Sequence, residues 1–322
     1  MNGIIIEKTG GAEVMQYREI PDPVPGDHEV IIDNQAIGVN FIDIYHRTGL
    51  YKKDLPFIPG MEGSGIISKV GKKVLQWKEG DHVAYNNVPG AYASKIKAAD
   101  HQVVQLPGKI SHDIAAAVML QGLTAHYLTR STYPLKEGDT CLILAAAGGV
   151  GLLMTQIAKS CGATVIGAVS TQEKADRVSE AGADHVVLYS NQEWVSKVKD
   201  LTDSKGVNVV YDSVGKDTFE HSLNCLAPLG YLVLFGQSSG PVPPFDPNIL
   251  NQKGSLYLTR PSLFHYVSES HTLKSRADDI FSWIIEGKLH VHIDDRIPLK
   301  NAVAAHQKLE SRQTKGKIIM TL

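Results

Sequence analysis

Cysteine is scarce: Cys141, Cys161 and Cys225 are the three in a chain of 322 residues. They lie far apart, with no CxxC and no even set, which excludes a disulfide framework and a four-thiolate zinc site. Charge of one sign is lacking too, since 32 Lys and Arg stand against 34 Asp and Glu. No overall basic field points to nucleic acid, and no acidic tail to a solvating partner. The longest apolar run, Cys141 to Met154, is broken by glycines and falls short of the ~20 apolar residues a membrane-spanning helix needs. Near the start, Glu7 and Lys8 follow only four consecutive apolar or small residues, so no secretory hydrophobic segment is expected. These absences predict a cytoplasmic protein with no membrane partner.

What is present is the material for a core, at 43% hydrophobic and 20% charged residues. At ~150 residues per domain the length suggests about two domains. The first part of the chain reads as short strands cut by Gly and Pro: Gly3–Glu7, Val14–Glu19, Glu29–Val39, Gly65–Val70, Asp81–Tyr85 and Gln102–Leu106. Many short strands without a long helical period suggest a β-barrel-type domain. Ser111 then caps an apolar helix through Leu120, and Gly122–Thr129 looks like the start of another.

From Gly138 the rhythm changes. Six apolar runs, Thr140–Ala145, Thr164–Val169, His185–Leu188, Val207–Tyr211, Tyr231–Phe235 and Ser255–Leu258, alternate mostly with helical patterns. That alternation predicts βαβ units and a parallel sheet covered on both faces. The last stretch is mixed again, with strands at Val291–Asp294 and Gly316–Thr321, and is expected to fold back onto the first domain. His290, His292 and Asp294 would share one face of such a strand; an exposed polar face explains them, and no metal is assigned.

The most specific signal is Gly138 to Gly151, a hydrophobic strand running into small residues and then into an amphipathic helix. The turn is Ala146-x-Gly148-x-x-Gly151, with Gly149 and Val150 between, a dinucleotide fingerprint with Ala at its first position. Missing side chains let the backbone approach a pyrophosphate at the positive end of the helix. The next strand ends in Val169-Ser170-Thr171 without the acidic residue an NAD site presents, and Lys174 follows. A hydroxyl and a lysine suit a 2′-phosphate, which predicts NADP(H); the alternative is that Ser170 merely caps the next helix. Phe235, Gly236, Gln237 and Ser238 end the fifth strand of the series, at the edge where open α/β sheets bind ligands.

These segments resemble the zinc-free quinone oxidoreductases of the medium-chain dehydrogenase/reductase superfamily, the group of zeta-crystallin. The resemblance runs the length of the chain and includes Asn40-Phe41-Ile42-Asp43, Pro59 through Gly65, Gly122-Leu123-Thr124-Ala125, Tyr211 through Gly215 and Thr259 through Leu263. It implies an α/β fold: a GroES-like β-barrel-type domain from residues 1–122 and 262–322, and a Rossmann doubly wound parallel sheet from 123–261. It implies that Asn40, Asp43, Tyr45 and Tyr51 surround the nicotinamide and substrate, that Thr124 contacts the nicotinamide, and that Tyr189 and Arg312 lie near the adenosine phosphate. An amide and two phenols can donate to a quinone oxygen gaining charge. A helix-capping Asp43 and half-buried tyrosines are the plainer readings. The superfamily's zinc enzymes have a cysteine ligand where this chain has Asn40 and a histidine where it has Met61, so no Lewis acid is expected. The implied activity is NADPH-dependent reduction of a quinone. The alternatives are reduction of a 2-alkenal or other conjugated carbonyl, and a non-enzymatic crystallin-like or RNA-binding role. The resemblance also implies a homodimer.

Overall fold

The computed structural model describes residues 1–189, 193–311 and 313–322. Elements in the N-terminal stretch are β1 (Asn2–Ile6), β2 (Met15–Glu19), β3 (Glu29–Gly38), α1 (Phe41–Thr48), β4 (Glu62–Val70), β5 (His82–Asn86), β6 (Lys95–Ala99), β7 (Val103–Gln105) and α2 (His112–Tyr127). The central stretch holds β8 (Thr140–Leu144), α3 (Gly149–Ser160), β9 (Thr164–Val169), α4 (Gln172–Glu180), β10 (His185–Leu188), α5 (Trp194–Asp200), β11 (Val207–Asp212), α6 (Phe219–Cys225), β12 (Leu226–Leu234), α7 (Asn248–Gln252), β13 (Tyr257–Thr259) and α8 (Leu263–Tyr266). The chain closes with α9 (Ser270–Ile285), β14 (Ile293–Pro298), α10 (Ala302–Glu310) and β15 (Lys317–Thr321).

The chain divides into two compact units, one made of Met1–Leu123 with Val267–Leu322 and the other of Thr124–Tyr266. In the first, a sheet runs β14-β15-β3-β4-β5-β7 with β6 paired to β3, beside the β1-β2 pair. The last strand of the chain thus lies against β3, antiparallel, with Ile319 opposite Gly38. Ile4, Ile32, Ile37, Tyr92, Ile318 and Met320 belong to its core. In β6, Lys95 and Lys97 alternate with the buried Ile96 and Ala98, and those charges hide the strand from a hydropathy reading.

The second unit is a parallel sheet of order β10-β9-β8-β11-β12-β13. Strand order reverses between β8 and β11, the switch point at which such sheets bind ligands outside the carboxyl ends of their strands. β9 is buried at nearly every position, as parallel strands covered on both faces are.

Two local expectations change. A single helix, α2, covers what reads as two, because Gly122 is a place of close packing and not a break: a Cβ there would crowd Val118 and touch Ile280 of α9. β14 begins only at Ile293, so His290 and His292 precede the strand and the shared face with Asp294 does not form.

Asp212 ends β11 and is fully buried. Its Oδ1 accepts from the backbone N–H of Val214 and Gly215 at 2.7 and 3.0 Å, and its Oδ2 from the hydroxyls of Thr218 and Ser222 at 2.7 and 2.8 Å. One carboxylate therefore fastens the turn after β11 to α6. Asp212→Ala should leave four buried donors without their acceptor and cost about 3 kcal/mol or more. Urea unfolding measures it, and a loss below about 1 kcal/mol would show that the turn holds itself.

Candidate active site

The turn after β8 is built by close approach. A Cβ on Gly151 would lie 2.6 Å from Ala146 Cα, so only glycine lets α3 start this near the strand. Ala146 N–H donates to Ala168 O of β9 at 3.1 Å, and Gly148 precedes the first turn of α3 as its cap. Ala145 is held at φ +51°, a left-handed conformation that costs a side-chain-bearing residue about 1 kcal/mol or more. Gly148, Gly149 and Val150 are half-buried, and the helix leaves its first N–H groups without intrahelical partners. Such a turn has the form of an anion cradle, and the residues fit a pyrophosphate.

At the tip of β9 the cap of α4 is Thr171, whose hydroxyl accepts from Lys174 N–H at 3.4 Å, so Ser170 does not serve as the cap. The Lys174 ammonium instead reaches Ser170 Oγ, at 3.4 Å. The two groups expected at a 2′-phosphate therefore stand together, beside the cradle's neighbouring strand. Tyr189 follows β10, its N–H bonded to Val169 O at 2.9 Å. Phe235, Gly236, Gln237 and Ser238 follow β12, half-buried, and a Cβ on Gly236 would meet Ser213. All of these lie at carboxyl ends of the parallel sheet. Arg312 lies outside the described residues.

In the first unit, Asn40 stands between β3 and α1 and is 4% exposed. Its Nδ2 donates to Glu62 Oε1 at 2.6 Å, while its Oδ1 accepts from Lys317 Nζ at 2.8 Å. Lys317 also bonds Glu62 directly, and Glu62 Oε2 accepts the N–H of Leu120 in α2. Asp43, three residues on, accepts from Asn40 N–H and from the Tyr92 hydroxyl, both at 2.9 Å. Tyr92 has one hydrogen and spends it on Asp43, so His306 Nε2, 3.1 Å away, donates to the phenol oxygen and His306 Nδ1 accepts from Arg47. Arg47 is clamped in turn by both oxygens of Glu310. Donors therefore point one way along Arg47, His306, Tyr92 and Asp43.

Burial sets the charges along this chain. It pushes the Asp43 carboxyl up to about 7, against the pull of its two donors and of Lys317. It pushes the His306 imidazole down to about 3, helped by the Arg47 charge, which keeps the ring neutral and fixes its tautomer. Among the described residues Asp43 Oδ1 has no hydrogen-bond partner.

A cleft of about 400 Å³ opens in the same unit, lined by His46, Lys53, Phe57, Ile58 and Met61 among others. Met61 is the chain neighbour of Glu62. Burial and Lys53 hold the His46 imidazole down at about 4, so its ring is neutral. Tyr45 packs edge to face on Tyr51 with ring centroids 5.2 Å apart, across the turn at Gly49 whose φ is +81°. Thr124 is nearly buried in α2.

Among the described residues no group of three or more His, Cys, Asp or Glu is placed to hold a metal ion. The Asn40 position itself does not fit zinc: its amide oxygen is taken by the ammonium of Lys317, and Met61 offers a thioether in place of an imidazole. Sequence reasoning missed Glu62, Lys317, Tyr92 and His306. The signal that could have found Glu62 is a lone charge in an apolar, strand-like run, Gly60-Met61-Glu62-Gly63; Lys317, two residues after Lys315, carries no such mark.

Comparison with known proteins follows this geometry. Residues 26–137 match the alcohol dehydrogenase GroES-like domain, and residues 149–274 the family described as zinc-binding dehydrogenase. That pairing of units defines the medium-chain dehydrogenases/reductases. The quinone oxidoreductase of Pseudomonas aeruginosa is 47% identical, over 97% of this chain and 96% of its own. The structure of Escherichia coli quinone oxidoreductase complexed with NADPH superposes with a TM-score of 0.98 at 44% identity, covering 100% of both chains. A 2-haloacrylate reductase of a Burkholderia species is 38% identical over 98% of this chain and 97% of its own. Within the superfamily, the chain belongs to the quinone oxidoreductase family.

The Asp43 carboxyl gives a pH test. An unfolded aspartate ionises near 3.9, whereas the folded one holds its proton to about 7. Between those values the native state binds more protons than the unfolded, so this contribution is present below ~4 and lost as pH rises through ~7. The loss is on the order of 4 kcal/mol at most. Asp43→Asn cannot ionise and should gain stability relative to wild type between pH 5 and pH 8. Denaturant unfolding of both proteins at the two pH values reads the gain, and an unchanged difference would mean that Asp43 is already ionised at pH 5.

Proposed function

We propose that the chain is an NADPH-dependent quinone oxidoreductase that works without a metal. The observation that carries this reading is the likeness to quinone oxidoreductases along nearly the whole chain, supported by the cradle after β8 and the Ser170–Lys174 contact. The amides of Gly148, Gly149, Val150 and Gly151, with Ala146 beneath, would hold the pyrophosphate. Ser170 and Lys174, with Tyr189 and Arg312, would surround the 2′-phosphate. Phe235, Gly236, Gln237 and Ser238, with Thr124, would receive the ribose and nicotinamide. When bound, NADPH supplies a hydride to the acceptor.

The chain's own groups would then act on the acceptor. Asn40 donates to the carbonyl oxygen as that oxygen gains negative charge. Tyr45 and Tyr51 give flat, amphipathic surfaces beside it, and the cleft by Met61 admits a small ring system. A quinone reduced to its monoanion takes its final proton from water, so no protein acid is required. The likeness to the 2-haloacrylate reductase favours a second reading, in which the acceptor is a conjugated carbonyl. NADPH oxidation with 1,4-benzoquinone, 9,10-phenanthrenequinone and a 2-alkenal separates the two. Turnover of none of them, with NADPH bound, would leave a binding protein.

The domain assignment, the homodimer and the compartment belong to the same proposal. Residues 1–122 with 262–322 would present the acceptor, and 123–261 the cofactor. Among the described residues β13 pairs only with β12, and Tyr257 on it is half exposed. That open edge suits continuation of the sheet into a second copy. The cysteines are free thiols, and no helix among the described residues is long and apolar enough to cross a membrane; both suit the reducing cytoplasm.

Two outcomes are expected. Exhaustive chelation should leave turnover intact, because the Asn40 position offers zinc no donor set. Stoichiometric zinc whose removal abolishes activity would falsify metal independence. Lys174→Ala should weaken NADPH by roughly 10- to 100-fold, the worth of one charge-assisted contact, and leave NADH nearly unchanged. Fluorescence titration of both cofactors decides it. Equal weakening of the two would make Lys174 a structural residue.

A further inference from the structure

A side-chain amide has two unlike ends: its oxygen only accepts hydrogen bonds and its nitrogen only donates them. At Asn40 each end faces a charged group of the matching kind. Lys317 offers donors and no acceptor, and it meets Oδ1. Ionised Glu62 offers acceptors and no donor, and it meets Nδ2. Turning the amide over would set NH2 against an ammonium and C=O against a carboxylate. Water gives little relief there, since Asn40, Glu62 and Lys317 are 4%, 0% and 1% exposed. The charged partners are themselves fixed. Leu120 N–H holds the second oxygen of Glu62, and a Cβ at Gly38 would collide with both Glu62 Oε1 and Ala116 O. Four segments, β3, β4, α2 and β15, thus close around one amide.

We infer that Glu62 and Lys317 are positioning residues, whose ion pair locks the Asn40 amide so that it can only donate to substrate. Oδ1 is taken by Lys317, and one of the two Nδ2 hydrogens by Glu62; the second hydrogen is what remains to offer. The inference rests on the reading of Asn40 as a residue that meets the acceptor. It adds a substrate consequence. A carbonyl oxygen, which needs a donor, is matched; an alcohol, whose hydroxyl hydrogen needs an acceptor, is not. In the reduction itself the acceptor gains a hydride, which brings both electrons. Its oxygen takes the negative charge and then a proton from water, and the Asn40 hydrogen stays on nitrogen throughout.

A double-mutant cycle tests the lock. Glu62→Gln combined with Lys317→Met removes both charges and keeps the site neutral. Asn40→Ala and the paired substitution should each lower kcat for 1,4-benzoquinone by roughly 10-fold or more, with KM for NADPH within about twofold. In the Asn40→Ala background the paired substitution should add less than about twofold, since groups acting through one another are not additive. A second readout needs no turnover. In protein labelled with ¹⁵N-asparagine, the Asn40 side-chain signals, identified by their loss in Asn40→Ala, should shift when the charges are removed. If Asn40→Ala turns over normally, the substrate reading of Asn40 falls and takes the inference with it. If Asn40→Ala is slow but the paired substitution costs as much without Asn40 as with it, the ion pair acts independently and the positioning role is overturned. Unmoved amide signals overturn it as well. Should the paired protein fail to fold, Glu62→Asp, which keeps both buried charges and draws the carboxylate back by one methylene, enters the same cycle.

Discussion

The ammonium of Lys317 lies against the carboxylate of Glu62 in a place that water hardly reaches. Removing one partner of such a pair typically costs about 3–5 kcal/mol, because the other charge stays buried alone. Much of the first unit is organised around keeping the pair whole. Lys317 opens the last strand, Glu62 opens β4, Asn40 leads into α1 and Leu120 belongs to α2. The C-terminal stretch is thereby tied into the N-terminal sheet by charge as well as by the β15–β3 ladder. Gly38 belongs to the same constraint, since any side chain there would displace the carboxylate.

A second polar chain continues from that centre. Asp43 bonds the backbone of Asn40, and Tyr92, His306 and Arg47 follow, with Glu310 at the outer end. Arg47, His306 and Tyr92 each donate toward the next member, while among the described residues Asp43 Oδ1 is left without a partner. Burial agrees with that direction, holding His306 neutral and raising the Asp43 carboxyl to about 7. Satisfied buried networks specify one arrangement because each alternative leaves a polar group unpaired. The short segment Asn40–Tyr51 is thus tied to this polar chain through Asp43 and Arg47, and within it Tyr45 packs on Tyr51.

The parallel sheet solves a different problem. Its strands are held by their parallel ladders, and its ligand edge follows from topology. Close approach makes the turn after β8, Gly151 against Ala146, and the segment after β12, Gly236 against Ser213. Asp212 holds the neighbouring turn by accepting four hydrogen bonds. Where the first unit uses charge to fix side chains, this one uses missing side chains to fix backbone.

Patterns local in sequence were legible in advance. The βαβ alternation, the turn from Ala146 to Gly151 and the absence of an acidic residue after β9 are read within a few residues, because strand period, helix starts and glycine geometry are short-range properties. The strand from Thr164 to Val169 is bounded by its own apolar run and matches to the residue. Local reading failed where distant contacts decide. Gly122 looks like a helix boundary but is a packing point against α9, and His290 with His292 lies ahead of the strand that would have aligned them. The sequence by itself determined the glycine turn from Ala146 to Gly151 and the residue types at the Asn40 and Met61 positions, since those follow from residue type and spacing. Only the tertiary structure decided that Lys317 meets Asn40 and Glu62, and that His306 meets Tyr92. Those partners are 277, 255 and 214 positions apart, and no pattern along the chain encodes which buried charges will share a site.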